Sequence, residues 1–239
     1  MSDPQATRHM SVDLPAVDLP ALESKLIVSC QAYPGEPLRD PRTMAQMAQA
    51  AVIGGAAAVR IQGISDLEQT RAAVDVPMIG LWEDGADGVF ITPTLKHALA
   101  CVAAGSEIVA IDGTRRPRPD GLTLAETISA LHEQTGALVM ADCGSALDAK
   151  AAADAGADLI GTTLAGYTGE RPKTDGPDLE LIAEIAALDL GRPLIAEGRI
   201  HTPAQARACL DAGAYAVVVG TAITHPSTIT GWFADALGN

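Results

Sequence analysis

Polar and ionisable residues close a series of aliphatic runs in this chain: Gln31, Arg60 with Gln62, Glu83, Asp112, Asp142, Thr162 with Thr163, Glu197 with Arg199, and Gly220 with Thr221. Gathered at one place, they would make a hydrophilic mouth over an aliphatic interior, suited to a small polar substrate. Dispersed, they would be ordinary surface residues. The stretch PMIGLWEDGADG, Pro77 to Gly88, poses the question sharply, because acids flanked by glycines also make solvated turns. The elements that carry these residues decide between the two.

Those elements repeat. AAADAGADLIGTT from Ala151 and CLDAGAYAVVVGT from Cys209 each read as a helix end, a glycine and a run of strand formers, and AVIGGAAAVRIQG, CVAAGSEIVAIDG and HEQTGALVMADCG carry the same punctuation. The runs predict eight strands, at 25–31, 57–62, 77–82, 108–112, 137–142, 159–164, 193–197 and 216–220, with helical patterns between them. Continuous rather than alternating apolar character means that both faces are covered, which calls for a parallel sheet. Eight βα units predict an α/β fold, a closed (β/α)8 TIM barrel formed by residues 17–239 as a single domain after a polar tail at 1–16. LPALESKL could form a short helix leading into the first strand. An open doubly wound sheet is the alternative, disfavoured because SCQAYPGEPL, not GxGxxG, follows the first strand.

Composition narrows the function. The 239 residues are 48% hydrophobic but only 3% aromatic, so small aliphatic side chains must fill the interior. A net charge of -14 repels phosphate backbones and anionic lipids, which argues against nucleic-acid or membrane partners and requires local cations for any anionic ligand. No apolar run approaches a membrane span, and MSDPQATRHM lacks a signal-peptide core. Cys30, Cys101, Cys143 and Cys209 show no metal-ligand spacing, and reduced thiols in the cytoplasm are the simplest account.

In such barrels chemistry sits at the C-terminal strand ends, and phosphate often binds after strands seven and eight. Gly198 with Arg199, and Gly220 with Thr221 ahead of a helix starting near Pro226, are the candidates; helix-cap glycines are the plainer account. IDGTRRPRPDG, with Arg115, Arg116 and Arg118, is either a basic loop steering an anion or a solvated one. His201 reads as a helix cap together with Thr202, and His225 before Pro226 as either a cap or a ligand contact.

LIVSCQA, AAVRIQG, VFITPT, IDGTRRPRP, MADC and IAEGRIHTP, in this order from residue 22 to about 235, resemble the N-acetylmannosamine-6-phosphate 2-epimerase family. The resemblance implies a barrel of the ribulose-phosphate-binding type, an isomerase that interconverts N-acetylmannosamine 6-phosphate and N-acetylglucosamine 6-phosphate in amino sugar and sialic acid breakdown, no redox cofactor, and a homodimer. It places substrate contacts at Gln31 and Arg60, an orienting carboxylate at Asp142 and a catalytic carboxylate at Glu197. The chain departs from the family pattern twice. GLWEDG puts Glu83 where a GIIKRD-like motif carries a catalytic lysine, and His225 replaces an arginine before Pro226.

Epimerisation at C2 needs one group to remove a proton and another to return one from the opposite face, and two carboxylates, Glu83 and Glu197, can do this if burial raises one pKa. A carboxylate cannot supply a lysine's positive charge: opposite charges about 4 Å apart gain about 4 kcal/mol at an effective dielectric of about 20, and reversing one sign makes this a penalty. The sequence therefore leaves open an epimerase working through Glu83, an impaired lysine-substituted form, altered specificity, a sugar-phosphate-binding pseudoenzyme, and a barrel enzyme acting on another phosphorylated metabolite.

Overall fold

Eight short aliphatic runs become eight parallel strands: β1 (Leu26–Cys30), β2 (Ala58–Gln62), β3 (Met78–Leu81), β4 (Ile108–Asp112), β5 (Leu138–Asp142), β6 (Leu159–Gly161), β7 (Leu194–Glu197) and β8 (Ala216–Val219). The computed structural model describes residues 15–238. Each strand pairs with the next in the chain, and β8 pairs with β1 to close the barrel, so the open sheet is excluded. All eight expected strands are present. β6 is shorter than its apolar run suggested, because the chain turns at Thr162 after one further ladder bond from its N–H to the Ile195 carbonyl (3.1 Å).

Helices α1 (Pro41–Ile53), α2 (Ile64–Arg71), α3 (Leu95–Ala103), α4 (Leu124–Thr135), α5 (Ala146–Asp154), α6 (Leu179–Ala187) and α7 (Pro203–Asp211) connect the strands, and a short α8 (Thr221–Thr224) precedes α9 (Pro226–Ala236). Their starts are fixed locally: Asp40, Thr94, Thr123, Ser145, Asp178 and Thr202 each accept a backbone N–H in the first turn. Gly213 shows why a glycine ends these helices. Its φ is 107°, and a Cβ there would lie 2.7 Å from the Ala186 methyl. Of the expected tail, residues 1–14 lie outside the described residues, and the LPALESKL stretch forms a 3-10 turn, Leu19–Leu22, whose Leu22 packs into the barrel bottom. No helix among the described residues is long and apolar enough to cross a membrane.

Two apolar clusters result, one between strands and helices and one inside the barrel. The inner cluster holds Ile27, Ala58, Ile79, Met140, Leu159 and Ile195. Side chains two residues apart share a strand face, so counting upward from this layer puts Ser29, Arg60, Asp142 and Glu197 inside as well. The same parity continued past the strand ends reaches Glu83 and Thr163. The barrel is aliphatic below and ionic above.

Gly161 makes the upper layer possible. A Cβ at this position would come within 2.6 Å of the Met140 methyl and 3.0 Å of Asp142 Oδ1. Gly161→Ala should therefore lower stability by about 1–3 kcal/mol through overpacking. Urea unfolding measures this, and an unchanged midpoint would show that the interior has slack the structure does not display.

Candidate active site

Arg60, from the middle of β2, is 1% exposed, and a guanidinium so buried needs acceptors. Asp142, at the end of β5 and fully buried, provides a two-pronged pair: Nη2 to Oδ2 at 2.7 Å and Nη1 to Oδ1 at 3.2 Å. Glu197, at the end of β7, brings Oε2 to 3.2 Å from Nη1. Thr163, just past β6, joins the two acids, its Oγ1 lying 2.7 Å from Asp142 Oδ1 and 3.1 Å from Glu197 Oε2. Thr162 holds the backbone of Glu197 in turn, accepting its N–H at 3.0 Å and donating to its carbonyl at 2.9 Å.

Above this network opens a cavity of about 500 Å³ lined by Arg60, Glu83, Thr163, Glu197, Gln31 and Tyr33, among others. Gly198, Arg199, Gly220, Thr221 and His225 form the side nearest β7 and β8. Of the residues expected from the sequence, Gln31, Arg60, Glu83, Thr163, Glu197, Gly198, Arg199, Gly220, Thr221 and His225 line this one cavity, Asp142 lies beneath it and bonds to Arg60, and Gln62, Asp112 and Thr162 do not line it. Gln31 is steadied by its bond to Ser29 Oγ (3.0 Å). Strand-end reading singled out Gln62, Asp112, Thr162 and Thr163 without a role; of these, Thr163 lines the cavity and Thr162 holds the Glu197 backbone. Tyr33 and Tyr167 went unnoticed, because both lie in loops with no periodic signal.

The acids respond to their burial. The Glu197 carboxyl is pushed up to about 7, first by burial and then by Asp142, against the pull of Arg60 and Thr163. Glu83 is raised as well, by burial foremost, with Arg60 opposing. Burial works against the charge on Arg60, but Asp142 and Glu197 outweigh it and hold the guanidinium more firmly protonated than a free one. A group poised near neutrality beside a fixed cation is equipped for proton transfer.

Asp84, the neighbour of Glu83, points elsewhere: its Oδ2 is 3.2 Å from His97 Nε2, whose ring packs edge-on against Trp82. The two adjacent acids of PMIGLWEDGADG thus divide, one into the cavity and one into a loop brace. Arg199, entered through Gly198 (φ 116°) and itself at φ 55°, sends its guanidinium to the Ala165 and Gly176 carbonyls and to Thr174 Oγ1, at 2.9–3.1 Å. It ties the loop after β6 to β7. His225 is held between Thr228 Oγ1 (2.6 Å) and Glu36. The His201 ring packs on Trp232, while Thr202 and Gln205 cap α7. Arg116 pairs with Asp112, Arg118 donates to the Asp112 and Thr92 carbonyls, and Arg115 pairs with Asp148 and Glu170, so this loop is an internal brace rather than a steering surface.

Residues 44–239 match the family model NanE, described as "Putative N-acetylmannosamine-6-phosphate epimerase". The chain belongs to this family. It is 65% identical over 213 residues, 89% of this chain and 93% of the relative, to a "Putative N-acetylmannosamine-6-phosphate 2-epimerase" of Cutibacterium acnes. A protein of the same description from Caldanaerobacter subterraneus is 48% identical over 87% of this chain and 89% of its own. The solved structure of the N-acetylmannosamine-6-phosphate 2-epimerase from Clostridium perfringens superposes with a TM-score of 0.87 at 39% identity, covering 91% of this chain and 95% of that one. The chain is accordingly an isomerase of the epimerase class, and its barrel and family agree with the expectation from its motifs.

Within this family framework, the buried ion network sets a stability pattern. Glu197 has a folded pKa of about 7, above its ordinary 4.5, so the folded state binds the extra proton and the residue costs stability as pH rises through that window. Glu197→Gln should flatten the decline in unfolding free energy between these two values. Asp142→Ala, by leaving the Arg60 charge unpaired, should cost about 3–5 kcal/mol. Denaturant titrations at several pH values measure both, and a mutant curve parallel to the parent's would refute the first.

Proposed function

We propose that the chain interconverts N-acetylmannosamine 6-phosphate and N-acetylglucosamine 6-phosphate by proton removal and return at C2, in amino sugar and sialic acid catabolism. The observation that carries this reading is Glu197, raised to about 7 beside Arg60 and facing a cavity that Glu83 also lines. The C2 hydrogen of the open-chain sugar is acidic because the electron pair left behind delocalises onto the C1 oxygen. One carboxylate takes that proton, and the other, protonated, returns one from the opposite face. Arg60 supplies the positive charge toward which the developing oxyanion is drawn.

The remaining roles follow position. Gln31 contacts sugar hydroxyls or the amide from the end of β1, while Gly198, Gly220 and Thr221 offer backbone N–H groups to the phosphate at the β7 and β8 side of the cavity. Arg199 shapes that side and adds charge to it. His225 stands at the same edge, where the family pattern has an arginine. Two properties belong to the same proposal: a homodimer, supported by Phe233 on α9 and Leu237 just past its end, both exposed, and a cytoplasmic location, supported by four buried, unpaired cysteines.

Incubation with N-acetylmannosamine 6-phosphate in heavy water should place deuterium at C2 and yield the gluco epimer, with a rate that rises through about pH 7 as Glu197 ionises. Calorimetric binding without deuterium uptake would instead describe a pseudoenzyme, and absence of binding a barrel acting on another metabolite. Glu83→Gln should reduce exchange by about 10²–10⁴-fold, the usual contribution of a general acid or base. A faster enzyme on Glu83→Lys would show that the native acid hinders turnover and would remove it from the mechanism.

A further inference from the structure

Thr163 contacts two carboxylates with a single hydroxyl proton. Its Oγ1 is 2.7 Å from Asp142 Oδ1 and 3.1 Å from Glu197 Oε2, yet it can donate to only one of them at a time. Asp142 already accepts from both Nη atoms of Arg60. On Glu197 both protein contacts, from Arg60 Nη1 and Thr163, fall on Oε2. Oε1 carries no hydrogen bond from the described residues, on a side chain that lines the cavity. The carboxyl thus has one oxygen anchored and one presented.

We propose that Thr163 is a positioning residue whose hydroxyl follows the charge on Glu197, donating to Oε2 while that carboxyl is ionised and turning to Asp142 Oδ1 once Oε1 has taken a proton from the substrate. The inference rests on the reading that Glu197 exchanges protons at C2. No covalent bond of Thr163 is made or broken in this cycle; the hydroxyl keeps its hydrogen and rotates about its Cβ–Oγ1 bond, exchanging one hydrogen bond for another between two acceptors already within reach. Donation is directed to whichever acid carries the greater negative charge, so each protonation state of Glu197 finds its hydrogen-bonding neighbour in place without movement of the backbone. Protonated at Oε1, Glu197 keeps Oε2 as a weak carbonyl acceptor, still facing Arg60, and the hydroxyl goes to Asp142.

The charged groups around Glu197 come from several elements: Arg60 from β2, Asp142 from β5, and Glu83 and Tyr33 from the loops after β3 and β1, with Arg199 two residues along the chain. Removing the threonine hydroxyl alters none of these residues themselves and takes one hydrogen-bond donor from Asp142 and Glu197. The predicted signature is therefore specific. Burial first, and Asp142 next, raise the Glu197 carboxyl, while the Thr163 hydroxyl pulls it down.

The test uses Thr163→Val, which keeps the branched shape without the hydroxyl, and Thr163→Ser, which keeps the hydroxyl. Carbon-13 NMR of the Glu197 carboxyl in the substrate-free protein should show its titration moved upward by about one pH unit in the valine variant and restored by serine. In heavy-water exchange, valine should lower kcat by about tenfold with KM little changed, and serine should recover it. An unmoved or downward titration in the valine variant, or failure of serine to restore the parent value, overturns the proposal. The NMR arm needs no turnover, so a parent protein that exchanges nothing at C2 would refute the epimerase reading while the titration still judges whether Thr163 senses the charge on Glu197.

Discussion

A guanidinium inside a closed barrel is the constraint on which the upper half of this molecule depends. Arg60 is almost wholly removed from solvent, and its two Nη atoms donate to the two carboxylate oxygens of Asp142. Desolvating such a pair is expensive, so its net worth to folding is small, and its value lies in fixing where charge sits. Once Arg60 and Asp142 are locked together, Glu197 shares Nη1 with Asp142, and its protonation becomes sensitive to both of them. The two threonines after β6 then fasten Glu197, one by its backbone and the other by its carboxyl.

Around this core the loops perform mainly structural tasks with residues that look chemical in the sequence. Arg199, Arg115, Arg116, Arg118 and Arg171 all turn toward carbonyls or carboxylates of the protein itself. In a chain with net charge -14, such internal use of arginine leaves few cations to meet an anionic ligand, which gives Arg60 and the backbone N–H groups near β7 and β8 their weight. Glu83 adds a further carboxylate to the cavity and makes this scarcity more acute.

The fold was legible because both signals that specify it are local: aliphatic runs of strand length, and a left-handed glycine just after α1, α3, α4, α5 and α7. The site was legible in part, since strand-end position puts Arg60, Asp142, Glu197 and Glu83 among the candidates and the family resemblance directs attention to all four. The direction of an arginine was not. Arg199 and Arg60 both belong to strand-end motifs, but the positive φ values at Gly198 and Arg199 carry Arg199, beyond β7, toward a loop, while Arg60, in the middle of β2, stays inside. Nor could spacing show that Asp84 would pair with His97, because that contact depends on how the loop folds back so that Glu83 bridges Ile91.

Gly161 carries a wider implication. The atoms that leave room for the Asp142 carboxylate are the same atoms that bound the aliphatic packing around Met140. Steric fit and proton affinity therefore share one small volume: an added methyl group there would be felt by an oxygen as much as by a hydrocarbon. In this barrel, crowding and acidity are not separate variables, and a change in size within the inner wall would be registered as a change in titration.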